Sequence, residues 1–363
     1  MMNEVKYMRR AISLAGKGAG WVNPNPMVGA VLVRDGVIIG EGFHEYYGGN
    51  HAEVNAMKGL SRDDTAGATL YVTLEPCSHE GKTPPCANLI AEMGISRVVV
   101  GMVDPNPLVS GRGISFLRSK GIMVDVGCLE PEVRQLNEIF IKYITTGEPF
   151  VVLKTAMTLD GKIATVTNAS RWITGEASRK KVHFLRQALG AVMVGVDTVK
   201  SDDPLLNIRL KGQWKNPLKV VADTRCRIST DAKLLTNDPQ LTIIAATELA
   251  DIGKVKQIER MGAQVVICPL KNNKVDLAFL LHSLGAMCID SVMIEGGSTL
   301  AFSALKHGLV DKVVSFIAPK ILGGAKAPTA VGGKGISTME EAINIKNMRI
   351  KKVGNDLMVE GWI

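Results

Sequence analysis

The sequence predicts two α/β domains in tandem, and three observations carry that expectation. At 363 residues the chain exceeds what one ordinary hydrophobic core accommodates. Short β-branched runs alternate with helix-like segments along its whole length. The alternation restarts after Thr145-Thr146-Gly147-Glu148-Pro149, so the expected domains are residues 1–147 and 148–363.

In the first half, MVGAVLVRDGVIIGEGFH reads as two strands joined at Asp35-Gly36, a dipeptide suited to a tight hairpin. ATLYVTLEP is a strand, CANLIAEMG a helix closed by Gly94, and RVVVGMVD another strand. GIMVDVGC adds a strand and EPEVRQLNEIFIKYITTG one long helix. In the second half FVVLKTAMTLDGKIAT opens the pattern, SRKKVHFLRQAL is helical, and AVMVGVDTV and LKVVAD are strands. LTIIAAT, AQVVICP, SVMIEGG and DKVVSFIAP follow as short strands of the buried type.

Composition narrows the function classes. With 46% apolar and 21% charged residues the chain is neither disordered nor fibrous, and neither a repeat nor a low-complexity tract is visible. No apolar run reaches the roughly 18–20 residues of a membrane span. The opening MMNEVKYMRRAISLAGKG lacks the apolar stretch and cleavage site of a signal peptide, so a cytoplasmic protein without a membrane partner is expected. Of six cysteines, Cys128, Cys226, Cys268 and Cys288 stand alone in apolar surroundings and read as buried thiols, whereas Cys77 and Cys86 lie close together. Residues 1–149 carry 14 Lys+Arg against 16 Asp+Glu, leaving 29 against 19 for the remainder. The basic second half suits an anionic small molecule, and the near-neutral first half argues against nucleic acid.

His51, Cys77 and Cys86 supply the three protein ligands of a catalytic zinc, which leaves one position open. Residues two apart on a helix rise about 3 Å and point some 200° apart, so His51 and Glu53 converge only at a helix end, which YYGGN before them permits. Cys77 and Cys86 would flank the start of a second helix, where N–H groups favour thiolate. Glu53, not itself a ligand, is placed to move a proton between water and a leaving amine. Zinc deaminases carry H-x-E followed by P-C-x-x-C. Here HAE and EPC match, but the second cysteine lies nine positions after the first rather than three. His79 is a competing ligand, and purely structural cysteines are the plain alternative.

That departure has a counterpart. PCSHEGKTPPC, with VNPNPMVGAVLV upstream and VDPNPLVSGRG downstream, resembles the deaminase domain of the bifunctional riboflavin-biosynthesis deaminase/reductases. The resemblance implies a cytidine-deaminase-like αβα sandwich that hydrolytically deaminates 2,5-diamino-6-ribosylamino-4(3H)-pyrimidinone 5′-phosphate. It makes His51, Cys77 and Cys86 zinc ligands and Glu53 the proton carrier, and places Asn25, His44, Lys82 and Asn106 along the substrate groove. A cation at Lys82, in the long insert, suits a phosphate; a surface-loop lysine is the bland reading.

In the second half, PFVVLKTAMTLDGKIAT, SRWITG, LRQALGAVMVGVDTVKSDDPLLNIR and IEGGSTL resemble the reductase domain of the same family. This implies a dihydrofolate-reductase-like fold that uses NADPH to reduce the ribosyl group to ribityl, giving 5-amino-6-ribitylamino-uracil 5′-phosphate. No G-x-G-x-x-G follows a strand, so a Rossmann site has little support. SVMIEGGSTLAFSAL reads as strand, Gly-Gly turn and helix start, whose N–H groups suit a phosphate or else only a well-capped turn. Arg186 and Arg209 are fork-shaped donors for an oxyanion, or plain surface arginines. Carried over by motif, Ala156, Trp172, Thr198, Asp202 and the stretch from Gly297, Ser298, Thr299 and Leu300 to Ser303 line the cofactor site. Lys154, Ser170, Arg186, Leu206, Arg209 and Glu295 face the substrate. Lys154, and after it Asp203, are candidates for an acid.

Two other function classes compete: a nucleic-acid-editing deaminase with an appended binding domain, and a non-catalytic protein with structural zinc. The long insert and slightly acidic first domain oppose the former, and an open three-ligand set beside a glutamate opposes the latter. The expected partner is a phosphorylated pyrimidine, and a homo-oligomer is the expected assembly.

Overall fold

The structure is a computed structural model that describes residues 2–78, 85–107 and 109–363. The chain divides into two compact units after Gly147, which closes the helix Glu138–Thr146 in the left-handed conformation glycine adopts without strain.

The first unit is built on a five-stranded sheet. β1 (Gly29–Arg34) and β2 (Val37–Phe43) form an antiparallel hairpin. Its turn takes φ 51° at Asp35 and 79° at Gly36, the two positive values that match the twist of the strands. β3 (Thr69–Leu74) pairs antiparallel with β1, and β4 (Arg97–Met102) and β5 (Met123–Val126) continue in parallel, giving the order β2-β1-β3-β4-β5. Alternate side chains serve opposite faces. Ala30, Leu32, Leu70, Val72, Val98 and Val100 meet residues of the helices Ala52–Ala56, Cys86–Glu92 and Arg112–Ser119. Val31, Val33, Tyr71 and Val99 meet Tyr7, Met8, Ala11 and Leu14 of the helix Met2–Ala15. The result is an αβα sandwich. The layers approach closely: a Cβ on Gly42 would come within 2.3 Å of the Ala56 backbone nitrogen.

One expectation is corrected at the end of this unit. The single long helix is two, Glu130–Leu136 and Glu138–Thr146, broken at Asn137. Asn137 leaves helical geometry (φ −104°, ψ 22°). Its amide accepts from the Met27 N–H at 2.8 Å and donates to the Met27 carbonyl at 3.0 Å.

The second unit holds a nine-stranded sheet. β6 (Phe150–Thr158), β7 (Ala191–Gly195), β8 (Leu218–Ala222), β9 (Thr242–Ala246) and β10 (Gln264–Ile267) are followed by a small ribbon, β11 (Leu270–Lys271) and β12 (Lys274–Val275). β13 (Ser291–Ile294), β14 (Lys312–Ala318), β15 (Lys346–Val353) and β16 (Asp356–Trp362) complete it in the order β10-β9-β8-β7-β13-β6-β14-β16-β15. The first seven in that order run parallel, and the terminal hairpin adds antiparallel pairs. Val151, Leu153, Met193, Val220 and Val292 centre the core beneath Leu280 and Leu284. The expected strand AVMVGVDTV stops at Gly195, because Val196–Asp202 turns into a helix with Asp197 in its first turn. The β15–β16 hairpin was not anticipated.

Replacing Asn137 with alanine strands the part-buried Met27 N–H and carbonyl. N137A is expected to lower the stability of the first unit by about 1–3 kcal/mol, read from its denaturant midpoint. A change below about 0.5 kcal/mol would remove the clamp as a determinant of the helix break.

Candidate active sites

His51 is the N-cap of the helix Ala52–Ala56, in extended geometry (φ −70°, ψ 161°), and Glu53 is buried in its first turn, two positions on. The residues before Cys77 leave the end of β3, and Cys86 opens the helix Cys86–Glu92. The ends of one strand and two helices thus bring the donors together. His51 Nδ1 lies 3.6 Å from Cys77 Sγ and 3.3 Å from Cys86 Sγ, and all three donor atoms fall within 4.8 Å of one another. Zinc bonds of about 2.3 Å to sulfur and 2.0–2.1 Å to nitrogen give a tetrahedral N···S edge of about 3.6 Å. The donor set fits that ion in both chemistry and spacing.

Charge is uneven within the cluster. The hydrogen bond from Cys86 draws the Cys77 thiol down to about 4, and the same bond, with burial, pushes the Cys86 thiol upward. The Cys77 sulfur also raises His51 and accepts the Cys86 backbone N–H at 3.3 Å. Burial pushes the Glu53 carboxyl up to about 7 against the pull of His51.

A cavity of about 370 Å³ opens on this cluster and is lined by Asn25, His44, Asn106, His51, Glu53 and Cys77 among others. Asn25, His44 and Asn106, from three separate stretches of sequence, therefore share one pocket with the metal ligands. His44 Nδ1 faces the Asn50 carbonyl at 2.9 Å and so carries the hydrogen, leaving Nε2 to accept from Asn25 Nδ2 at 3.3 Å. Burial keeps that imidazole's pKa low. Lys82 and His79 lie outside the described residues.

Sequence reasoning passed over Glu75. Its buried carboxylate accepts from the backbone N–H groups of Asp104, Gly111, Gly113 and Ile114 at 2.9–3.2 Å. This gathers the loop that carries Asn106 and the start of Arg112–Ser119 at the pocket wall. The available signal was a glutamate directly ahead of Pro-Cys at the end of an apolar strand.

The second unit places its polar groups at the carboxyl ends of parallel strands, where open α/β sheets bind ligands. After β13 the chain runs through Glu295, Gly296 (φ 147°) and Gly297 (φ 87°) into the helix Ser298–Lys306. These two backbone angles lie where side chains are strained. Glu295 is shared: Arg186 Nη2 and Nε donate to its two oxygens at 2.8 and 2.9 Å, and Lys154 Nζ donates at 3.2 Å. Burial alone would raise this carboxyl, but Lys154 and Arg186 outweigh it and hold it down to about 2.

Two cavities meet at Asp197, Thr198, Gly297 and Ser298. The larger, about 450 Å³, is lined by Lys154, Ala156, Ser170, Thr198, Asp202 and Glu295. The smaller, about 250 Å³, takes in Thr299, Leu300 and Ser303. Other expected residues lie elsewhere. Arg186 stands behind Glu295 and also donates to the Asn207 carbonyl at 2.8 Å. Leu206 is buried, and Arg209 donates to the Asn207 side chain at 2.9 Å. The Trp172 ring is 62% exposed, with the Arg179 guanidinium 4.4 Å from its centre. Asp203 is engaged by Lys233 at 3.1 Å. No helix among the described residues is long and apolar enough to cross a membrane.

Known proteins share both halves. Residues 1–102 match the family of the cytidine and deoxycytidylate deaminase zinc-binding region, and residues 149–359 match the RibD C-terminal domain. The riboflavin biosynthesis protein RibD of Actinobacillus pleuropneumoniae is 47% identical over 359 residues, 99% of this chain and 95% of that one. The Escherichia coli RibD is 37% identical over 98% of both chains. Among solved structures, Acinetobacter baumannii RibD superposes with a TM-score of 0.89 at 36% identity, covering 99% of each chain. A Thermotoga maritima protein described as a diaminohydroxyphosphoribosylaminopyrimidine deaminase/5-amino-6-(5-phosphoribosylamino)uracil reductase gives 0.88 at 40%, again covering 99% of each.

Glu295 makes acid stability a readout of the second site. Its folded pKa of about 2 lies below the unfolded value of about 4.3. Its contribution, about 3 kcal/mol, is therefore complete above pH 4.3 and is lost as pH falls toward 2. The wild-type thermal midpoint of this unit should fall more steeply between pH 5 and 3 than that of E295Q. Parallel profiles would exclude Glu295 as the source.

Proposed function

This chain belongs to the RibD family of bifunctional riboflavin-biosynthesis deaminase/reductases, and from that premise we propose which of its residues carry each reaction. The observation that carries the proposal is the His51, Cys77 and Cys86 donor triangle, closed against a buried Glu53 at the wall of a cavity.

In the first unit, the substrate is a diaminopyrimidinone bearing ribosylamino 5′-phosphate, and its 2-amino group leaves as ammonia. His51, Cys77 and Cys86 hold zinc, which when bound supplies a Lewis acid that makes water nucleophilic near neutral pH. Glu53 takes a proton from the attacking water and delivers it to the departing amine. Asn25, His44 and Asn106 orient the base, with the neutral His44 anchored through Asn50. Lys82 is assigned to the substrate phosphate.

In the second unit, NADPH provides the hydride that converts the ribosyl group to ribityl. The start of the helix Ser298–Lys306 offers N–H groups to a cofactor phosphate, and Ala156, Trp172, Thr198, Asp202, Gly297, Thr299 and Leu300 complete that assignment. Lys154 projects its ammonium into the larger cavity, where it stabilises or protonates the opened sugar at C1′. Ser170, Arg186, Leu206, Arg209 and Glu295 belong to the substrate side, Arg186 through its hold on Glu295. Six unpaired cysteines suit a reducing, cytoplasmic setting, and a homo-oligomer is the proposed assembly.

E53Q should keep its fold and its zinc while ammonia release drops by about 10³-fold or more. Ammonia release at the wild-type rate would sink the deaminase assignment. For the second unit, supplying the deaminated product with NADPH should bleach the absorbance of the reduced nicotinamide. K154Q should slow that oxidation by about 10²-fold, whereas a preference for NADH would count against the cofactor assigned.

A further inference from the structure

Glu75 is a buried acid that neither reaction uses, although it lines the first unit's cavity and stands two positions before Cys77. Its carboxylate is fully committed. Oε1 accepts from the N–H groups of Gly113 and Ile114 at 2.9 and 3.2 Å. Oε2 accepts from those of Asp104 and Gly111 at 3.1 and 2.9 Å. Two carboxylate oxygens offer about four lone-pair sites, and four main-chain donors occupy them. None is left for a substrate, so Glu75 acts through what it holds.

The two oxygens hold different elements. Gly113 and Ile114 lie in the first turn of the helix Arg112–Ser119, whose N-cap Gly111 supplies no side-chain bond. Oε1 therefore caps that helix from a distant strand end, where a negative charge suits the dipole. The packing there is close, since a Cβ on Gly113 would overlap the Pro76 carbonyl oxygen. Capping needs only this oxygen. Oε2 instead grips the segment 104–111 at both of its ends. Within that segment Asp104 Oδ1 accepts the Asn106 N–H at 2.8 Å, and the Asn106 carbonyl accepts from Val109 and Ser110, each at 2.9 Å. The main chain of Asn106 is thus fixed on both sides, and Asn106 lines the cavity.

We propose that Glu75 is a positioning residue of the deaminase, holding residues 104–111 so that Asn106 meets the pyrimidine at a set distance from His51, Cys77 and Cys86. This rests on the assignment of Asn106 to the substrate. The path from the donor cluster to the loop is short: Cys77, then Pro76, whose ring restricts the backbone, then Glu75 and its bonds. A loop released at Oε2 lets Asn106 drift while the donor cluster stays as it is.

Steady-state deamination by the full-length, zinc-loaded enzyme tests this, with the reductase reaction of the same chain as the control for folding. E75Q turns an NH2 group against one pair of N–H donors. It should raise the deaminase KM by about tenfold with kcat within about threefold, while zinc content and the reductase KM stay at wild-type values. N106A should raise the deaminase KM to a similar extent. E75Q/N106A should go no further than N106A, because residues acting through one contact do not add. Multiplied effects in the double variant, zinc loss in E75Q, or wild-type kinetics in E75Q beside an impaired N106A would overturn the inference while the Asn106 assignment stands. A wild-type KM in N106A would overturn that assignment and the inference with it. Should E75Q not fold, hydrogen exchange on the wild-type chain decides. The Asp104 and Gly111 amides should exchange at least about tenfold more slowly with the deaminated product bound, since ligand and loop order stabilise each other. Unchanged exchange at both amides would overturn the inference.

Discussion

Glu295 closes β13 with its carboxylate taken out of water, a position that is tolerable only when donors replace the lost hydration. Arg186, from the helix Glu176–Ala188, supplies two, and Lys154, from β6, supplies a third. Three elements far apart in sequence must therefore meet at one point. The Gly296-Gly297 turn follows at once, because the chain must swing from that buried carboxylate into a helix whose N–H groups face the cavities. The first unit applies the same constraint with a different partner. Glu75 closes β3, and its donors are four backbone N–H groups of the loop and helix beyond β4. In each case a buried acid at a strand end ties down the loop that forms the pocket wall.

These two acids also mark where reading the sequence succeeds and fails. Strands were legible because apolar β-branched runs have one meaning in a buried parallel sheet, and the Asp35-Gly36 turn because few residues accept its backbone angles. The metal ligands were legible because His-x-Glu and Pro-Cys combine rare residue types at helix and strand ends. Asn137 was not, since its reason for breaking a helix is Met27, 110 positions away. Glu75 showed only as the glutamate ahead of Pro-Cys, because its donors are main-chain groups, which have no signature in side-chain identity. Val196–Asp202 was read as strand because Val-rich periodicity cannot register that Gly195 starts a helix there. β15 sits at the sheet edge and is almost wholly exposed, so it lacks the apolar run that announced the interior strands.

The two sites solve different electrostatic problems. The first concentrates donors on one point: a nitrogen and two sulfurs within a few ångströms, with one sulfur favoured as thiolate by the other's hydrogen bond. A small cation is what such a set demands, and Glu53 lies buried beside it in the first turn of the helix that His51 caps. The second site spreads positive groups across two joined cavities, so it addresses an extended anion.

That distinction bears on why no lone acid is conspicuous in the second unit. Lys154 gives one of its three N–H bonds to Glu295, whose two oxygens each also accept from Arg186. The network is over-supplied with positive charge by one, and that surplus sits on the group that faces the cavity. A lysine so placed is oriented by a neighbour that does not take its proton, because Lys154 itself and Arg186 together hold Glu295 ionised far below neutral pH. In the proposed reaction its ammonium would be available to a developing negative charge or a basic nitrogen on the sugar, with Glu295 as the strut. On that proposed assignment, position and field would supply the stabilisation, and the proton would follow the substrate's need.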